Sequence, residues 1–313
     1  MNKLYTAYQI CSVEGICHGL YVLWMLHHGL DALQVSLIIS LGEGTLLFSE
    51  LPTGWWADRF GLRRSLLIGS ALQVLGLVAM WANYYVVSAL AIALGDAFRH
   101  GADEALLYRS DPVNFQQNLA RAQSLTLLAQ IFLTLGGGLL ATRCSYHLAW
   151  GLEVLLASVG LGLACKFPDF PMVAEQGSGR KFGAWLAVLP FTLLFALAAG
   201  GEFVVQASAS TAEMAGLRVS GILGLEALGA ALVARWRVPP GCLLLLVSAA
   251  LVWRGPALGL IFLVAGMAPS LRSRMLQQVA GEDERARVQS AASTLDMLAR
   301  MLILPLAGRL ISK

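Results

Sequence analysis

The sequence predicts an all-α bundle that crosses a membrane about eleven times. Three observations predict it. Hydrophobic residues make up 57% of the 313-residue chain and charged residues only 13%, where a soluble domain carries about 25% charged residues; the mean hydropathy is +0.68. Apolar runs recur along the whole chain, most of them near the roughly 20 residues a bilayer crossing needs. Basic residues collect in alternate gaps between those runs, as topology by positive charge requires.

In order, the predicted spans cover residues 6–28, 33–56, 64–83, 85–107, 121–142, 147–166, 183–206, 212–235, 240–253, 256–277 and 286–311. Span 1 is interrupted by Glu14 and His18 and has no small-residue cleavage site, so it is taken as a helix rather than a signal peptide. Span 9 is short and is cut by Arg254-Gly255-Pro256. Between spans 6 and 7, residues 167–181 are rich in Pro, Gly, Ser and charge, which is linker chemistry. The predicted organisation is therefore an N-terminal six-helix bundle (1–166), a cytoplasmic linker (167–181) and a C-terminal bundle of about five helices (182–313).

A cytoplasmic N-terminus puts Lys3, Arg59, Arg63, Arg64, Arg109, Arg121, Lys166, Arg180, Lys181, Arg235, Arg237, Arg272, Arg274, Arg285 and Arg287 on the inner side, 15 of the 22 basic residues. With eleven helices the C-terminus lies outside. Short loops and an Ala/Leu/Gly/Arg-rich composition suggest a bacterial inner membrane. The net charge of +3 is no nucleic-acid signal, because the basic residues sit at helix ends. Five scattered cysteines imply no disulfide framework. There is no nucleotide loop, zinc-protease His-Glu pair or serine-nucleophile elbow, so no enzyme and no cofactor are expected.

Between spans 2 and 3 lies Gly54-Trp55-Trp56-Ala57-Asp58-Arg59-Phe60-Gly61-Leu62-Arg63-Arg64, expected as a short charged turn. Two glycines permit unusual dihedrals and close approach. Asp58 suits the positive N-terminus of the next helix. Arg59, Arg63 and Arg64 are forks for carboxylates or lipid phosphates. This segment resembles the signature of the major facilitator superfamily on the turn between helices 2 and 3, with every diagnostic position filled. Glu50-Leu51-Pro52-Thr53 and Glu104-Ala105-Leu106-Leu107-Tyr108 resemble a drug-exporter-like branch of that superfamily. The resemblance implies alternating-access transport of a small molecule, through a cavity between helices 1, 4, 7 and 10. It also implies gating by Gly54, Asp58, Arg59, Gly61, Arg63 and Arg64. Arg99 followed by Gly101 resembles the family's second motif, linked to proton transfer. Span 5 departs from the antiporter signature: it has Gly136-Gly137-Gly138 and no proline.

Ala120-Arg121-Ala122-Gln123-Ser124 opens span 5 and Ala286-Arg287-Val288-Gln289-Ser290 opens span 11, an offset of 166 residues. Both runs start on the same side, so the repeat is parallel, as the halves of this superfamily are. By that offset a twelfth helix would end near residue 332, past the last residue, so helix 12 is expected to be absent. A second copy of the chain, a partner protein or lipid would then cover helices 10 and 11.

Ionisable residues inside spans are costly and mark function. Cys11, Glu14, His18, Tyr21 and Met25 recur at three- and four-residue steps, one face of a continuous helix. That stripe suits protons or a cationic substrate; Cys11, Glu14 and His18 also form a weak candidate metal set. Glu43 in span 2, Asp96, Arg99 and Asp103 on one face of span 4, Glu202 in span 7, and Asp296 with Arg300 at i,i+4 in span 11 complete the set. Carboxylates outnumber bases, so the expected substrate is cationic or zwitterionic and the expected coupling ion is the proton. The expected partners are that small molecule, protons and membrane lipids. The rival expectations are a transition-metal or metallophore transporter and a non-transporting membrane scaffold.

Overall fold

The computed structural model describes residues 2–100, 102–169, 189–235, 261–267 and 285–312. Among the described residues every regular element is helical. They are α1 (Asn2–Ser12), α2 (Tyr21–His27), α3 (Ala32–Phe60), α4 (Leu62–Trp81), α5 (Tyr85–Arg99), α6 (Ala102–Ser110), α7 (Phe115–Arg143), α8 (Tyr146–Ala164), α9 (Leu189–Ala207), α10 (Ala212–Arg235) and α11 (Arg285–Ile311). Residues 261–267 are also helical. Span 9 and most of span 10 lie outside the described residues, as do residues 170–181 of the predicted linker.

Local chemistry starts and stops these helices. Asp31 opens α3 with a reciprocal cap: its carboxylate accepts from the Gln34 amide at 2.7 Å, and Gln34 accepts from the Asp31 amide at 3.0 Å. Ser145 caps α8 by accepting from the Leu148 amide at 3.1 Å. Before α7, hydrogen bonds from the Asn114 side chain and amide and from Asn118 hold the Asp111 carboxyl below the ordinary carboxylate range. Pro52 sits inside α3 without ending it; Thr53 Oγ1 donates to the carbonyls of Ser49 (2.8 Å) and Ala97 (2.9 Å), tying this turn to α5.

Three expectations are corrected. Residues 54–60 of the signature are the last two turns of α3, and the chain turns only at Gly61, whose φ of 102° favours glycine. Gly54 is helical, and a Cβ added there would meet nothing within 4 Å. Span 1 is not one helix: residues 13–20 leave the helical path between α1 and α2. Span 4 is not one helix either. It stops at His100, whose backbone is extended, and restarts as α6.

In the first bundle α4 packs on α5 and α8, α3 on α5, and α1 on α7 and α8. Helices before and after the predicted linker, the two halves of the chain, meet along α3–α11, α7–α10 and α2–α9. Two of these crossings are closed by glycine. A Cβ on Gly216 would stand 2.8 Å from the Thr134 carbonyl and 2.9 Å from Gly138 Cα. One on Gly308 would stand 2.7 Å from the Ala32 carbonyl and 2.1 Å from Ser36 Oγ. Small residues let helix backbones approach closely where the solvent is hydrocarbon. Both crossings lie at the end of the bundle opposite Gly61.

Gly216→Ala is expected to force α7 and α10 apart at a cost of about 1–3 kcal/mol, seen as a lower thermal midpoint in detergent. Gly221→Ala, on the same helix with open space around it, serves as the control. It is expected to hold or raise stability by about 0.5–1 kcal/mol. Equal midpoints for the two variants would refute the tight crossing.

Candidate functional site: a cavity between the two halves

The break in the first predicted span shapes the site. Leaving the helix strands backbone groups that hydrocarbon cannot satisfy, and side chains from four other helices take them up. The Ser12 carbonyl accepts from Gln73 Nε2 (2.6 Å, α4) and Arg99 Nη1 (3.1 Å, α5). The Gly15 carbonyl accepts from Thr134 Oγ1 (2.8 Å, α7). The Cys17 amide donates to Glu153 Oε2 (2.8 Å, α8). A glycine of α7 permits the close approach here: a Cβ on Gly137 would lie 1.9 Å from the Ile16 carbonyl.

Between the halves lies a cavity of about 400 Å³. It brings together seven of the residues expected from the sequence: Glu14, His18, Tyr21, Glu43, Asp96, Glu202 and Arg300. They come from the broken segment and α2, α3, α5, α9 and α11. His18 Nε2 meets Glu202 Oε1 at 3.0 Å, and Gln206 Nε2 donates to the same oxygen at 3.0 Å. Arg300 Nη1 meets Glu43 Oε1 at 3.2 Å. Asp96 pairs with Arg99, which also donates to Gln73 Oε1 at 2.6 Å. Each carboxylate–cation contact except Asp96–Arg99 therefore joins two different elements. Arg300 reaches across to α3 for its partner, rather than serving only the i,i+4 spacing with Asp296.

The remaining candidates sit elsewhere. Asp103 lies on α6, not on one face with Asp96 and Arg99; it accepts from Gln9 Nε2 at 2.6 Å. With Arg99, His100 and Glu104 it lines a second cavity of about 380 Å³ inside the first bundle. Asp296, with Glu50, Glu226 and His100, lines a third cavity of about 580 Å³. That cavity shares Glu202 and Arg300 with the central one and continues it toward the Gly61 end. Glu50 meets His100 at 3.6 Å.

The metal expectation loses its geometry. Cys11 remains on α1, facing α8 beside Gly160, while Glu14 and His18 turn into the cavity from non-helical backbone. Among the described residues no three His, Cys, Asp or Glu side chains come close enough to hold an ion. In the signature, Arg63 donates to the Cys165 carbonyl (2.7 Å) and meets Asp169 (3.4 Å), joining α4 to the residues just after α8. Arg59 lies over the Trp55 ring at 5.3 Å and the Phe60 ring at 5.9 Å. Arg64 is exposed, and the Asp58 side chain lies outside the described structure.

Glu153, Thr134 and Gln73 escape the sequence reading. The signal for Glu153 was present, a lone carboxylate in the middle of span 6. For the two neutral residues there was none, because a Thr or Gln inside a span is common.

Four described helices are long and apolar enough to cross a membrane: Ala32–Glu50, Leu62–Trp81, Gln117–Arg143 and Tyr146–Ala164. The fold is similar to that of the nucleoside transporter NupG (TM-score 0.74, 13% identity, 99% of this chain and 89% of that one). It is also similar to a bacterial homologue of the human lysosomal transporter Spinster in an inward-facing and occupied conformation (0.73, 14%, 99% and 80%). A D-xylose–proton symporter shares it as well (0.63, 15%, 97% and 87%). No curated protein matches the sequence. A sequence model described as Major Facilitator Superfamily matches residues 15–304. The chain is thus a multi-pass membrane protein that belongs to the Major Facilitator Superfamily of transporters.

Proposed function

We propose that this protein carries a small cationic or zwitterionic molecule across a bacterial inner membrane by alternating access, coupled to protons, in the export direction. The observation that supports this most is the charge of the central cavity. Glu14, Glu43, Asp96 and Glu202 line it against Arg300 and His18. An excess of carboxylates over fixed cations favours a substrate with a positive group, and leaves carboxylates able to exchange protons. Arg300 opposite them suits a carboxylate or other anionic group on the same substrate. The export direction rests on the exporter-like residues Glu50–Thr53.

Under a cytoplasmic N-terminus the Gly61 end faces inward. The glycine crossings then seal the outer side, and the third cavity opens the path inward. The alternate state requires α3–α11 and α7–α10 to part at the outer end. Asp58 and Arg59, Arg63 and Arg64 would hold the inner ends in that state.

The test uses purified protein in proteoliposomes loaded with a pH dye and a panel of cationic and zwitterionic compounds. One compound is expected to move protons, and Glu14→Gln or Asp96→Asn to slow that movement by at least about tenfold, the loss of one required proton or substrate contact. Silence across the panel from folded protein would overturn the reading. Asp58→Asn is expected to abolish transport while the protein still folds, as shown by an unchanged thermal midpoint. Normal turnover in that variant would remove Asp58 from the gate.

A further inference from the structure

The central cavity owes two of its charged groups, Glu14 and His18, to a segment that is not helical. Something must stop residues 13–20 from continuing the helix on either side. Glu153 is 1% exposed, in the middle of α8. It accepts from the Cys17 amide at 2.8 Å, while the Gly15 amide donates to the Val13 carbonyl at 2.8 Å. In a continuous helix the Cys17 amide would donate to the Val13 carbonyl four residues back, which here accepts from the Gly15 amide instead. A carboxyl group offers several acceptor lone-pair sites to a backbone amide. It is therefore suited to hold the Cys17 amide off the helical path. The carbonyl side is held separately, by Gln73 and Arg99 at Ser12 and by Thr134 at Gly15. Gly15 fits closely against Leu133, and Gly137, lacking a Cβ, leaves room for the Ile16 carbonyl.

We propose that Glu153 is a positioning residue. By capturing the Cys17 amide it keeps the first membrane crossing open and presents Glu14 and His18 to the cavity. The inference rests on the cavity being the transport site, but the mechanism it names is a property of the unliganded chain. Glu153 lines none of the three cavities, so its action passes through the backbone of the broken segment.

The experiment compares wild type, Glu153→Gln and Glu153→Asp as full chains in detergent, without substrate. Hydrogen–deuterium exchange reads the peptide covering 13–20. Glutamine keeps the size but can turn a donor toward the Cys17 amide, so that peptide is expected to exchange about tenfold faster, while peptides of α4 and α10 keep their rates. Glu153→Asp keeps the carboxyl group one methylene short and is expected to fall between. If the glutamine variant does not fold, a selective acceleration in Glu153→Asp decides the same question. Diethyl pyrocarbonate then reads His18, with His27, His28 and His147 as internal references. Release of His18 from Glu202 is expected to raise its modification about threefold relative to His147, a change that general loosening would not confine to one histidine. Unchanged exchange in 13–20 overturns the proposal, and so does faster exchange with unchanged His18 reactivity. Both measurements are independent of transport, so silence in proteoliposomes overturns the transport reading and leaves the role of Glu153 to be judged here.

Discussion

In hydrocarbon a backbone polar group without a partner costs several kcal/mol. The broken first crossing meets that constraint in the interior of this protein, and much of the site depends on how. Its carbonyls and amides are taken up by Gln73, Arg99, Thr134 and Glu153, which belong to four different helices. Those bonds tie α4, α5, α7 and α8 to one short loop. They also make the loop a precise support for Glu14 and His18, because a segment held from several sides cannot drift without losing several bonds together. Irregular backbone at membrane depth is tolerated only where it is buried in protein or lines a cavity, and here it does both.

The second organising element is steric. The two halves approach at Gly138–Gly216 and Ser36–Gly308, where side chains are too small to hold the backbones apart. Both contacts lie at the end away from Gly61, so the halves touch at one end and leave a cavity toward the other. The cross-helix pairs fall in the space between. His18–Glu202 and Arg300–Glu43 each join the first half to the second. A rocking of one half on the other must stretch or exchange these pairs, so the charges of the cavity and the movement of the bundles are coupled by geometry. Arg99 is different: it is bonded to Asp96, Gln73 and the Ser12 carbonyl, all within the first half, and it braces the break rather than the interface.

Much of this architecture was legible in the residues themselves. Composition, spacing of apolar runs and placement of arginines determine an all-helical polytopic protein, since a segment of that length and polarity has few alternatives in water or lipid. The signature from Gly54 to Arg64 pointed to the family that the sequence match bears out. Seven ionisable or polar candidates were found because charge inside an apolar run is conspicuous whatever the fold, and they meet in one cavity. Tertiary structure decided the rest. Periodicity makes Cys11, Glu14 and His18 look like one helical stripe, but the chain leaves the helix there and a carboxylate 136 positions from Cys17 takes up its amide. The i,i+4 spacing of Asp296 and Arg300 suggests a local pair, yet Glu43 on another helix reaches Arg300. Local pattern records what each segment prefers by itself; which polar groups it meets is set by the helices packed around it, and that information is spread over the whole chain.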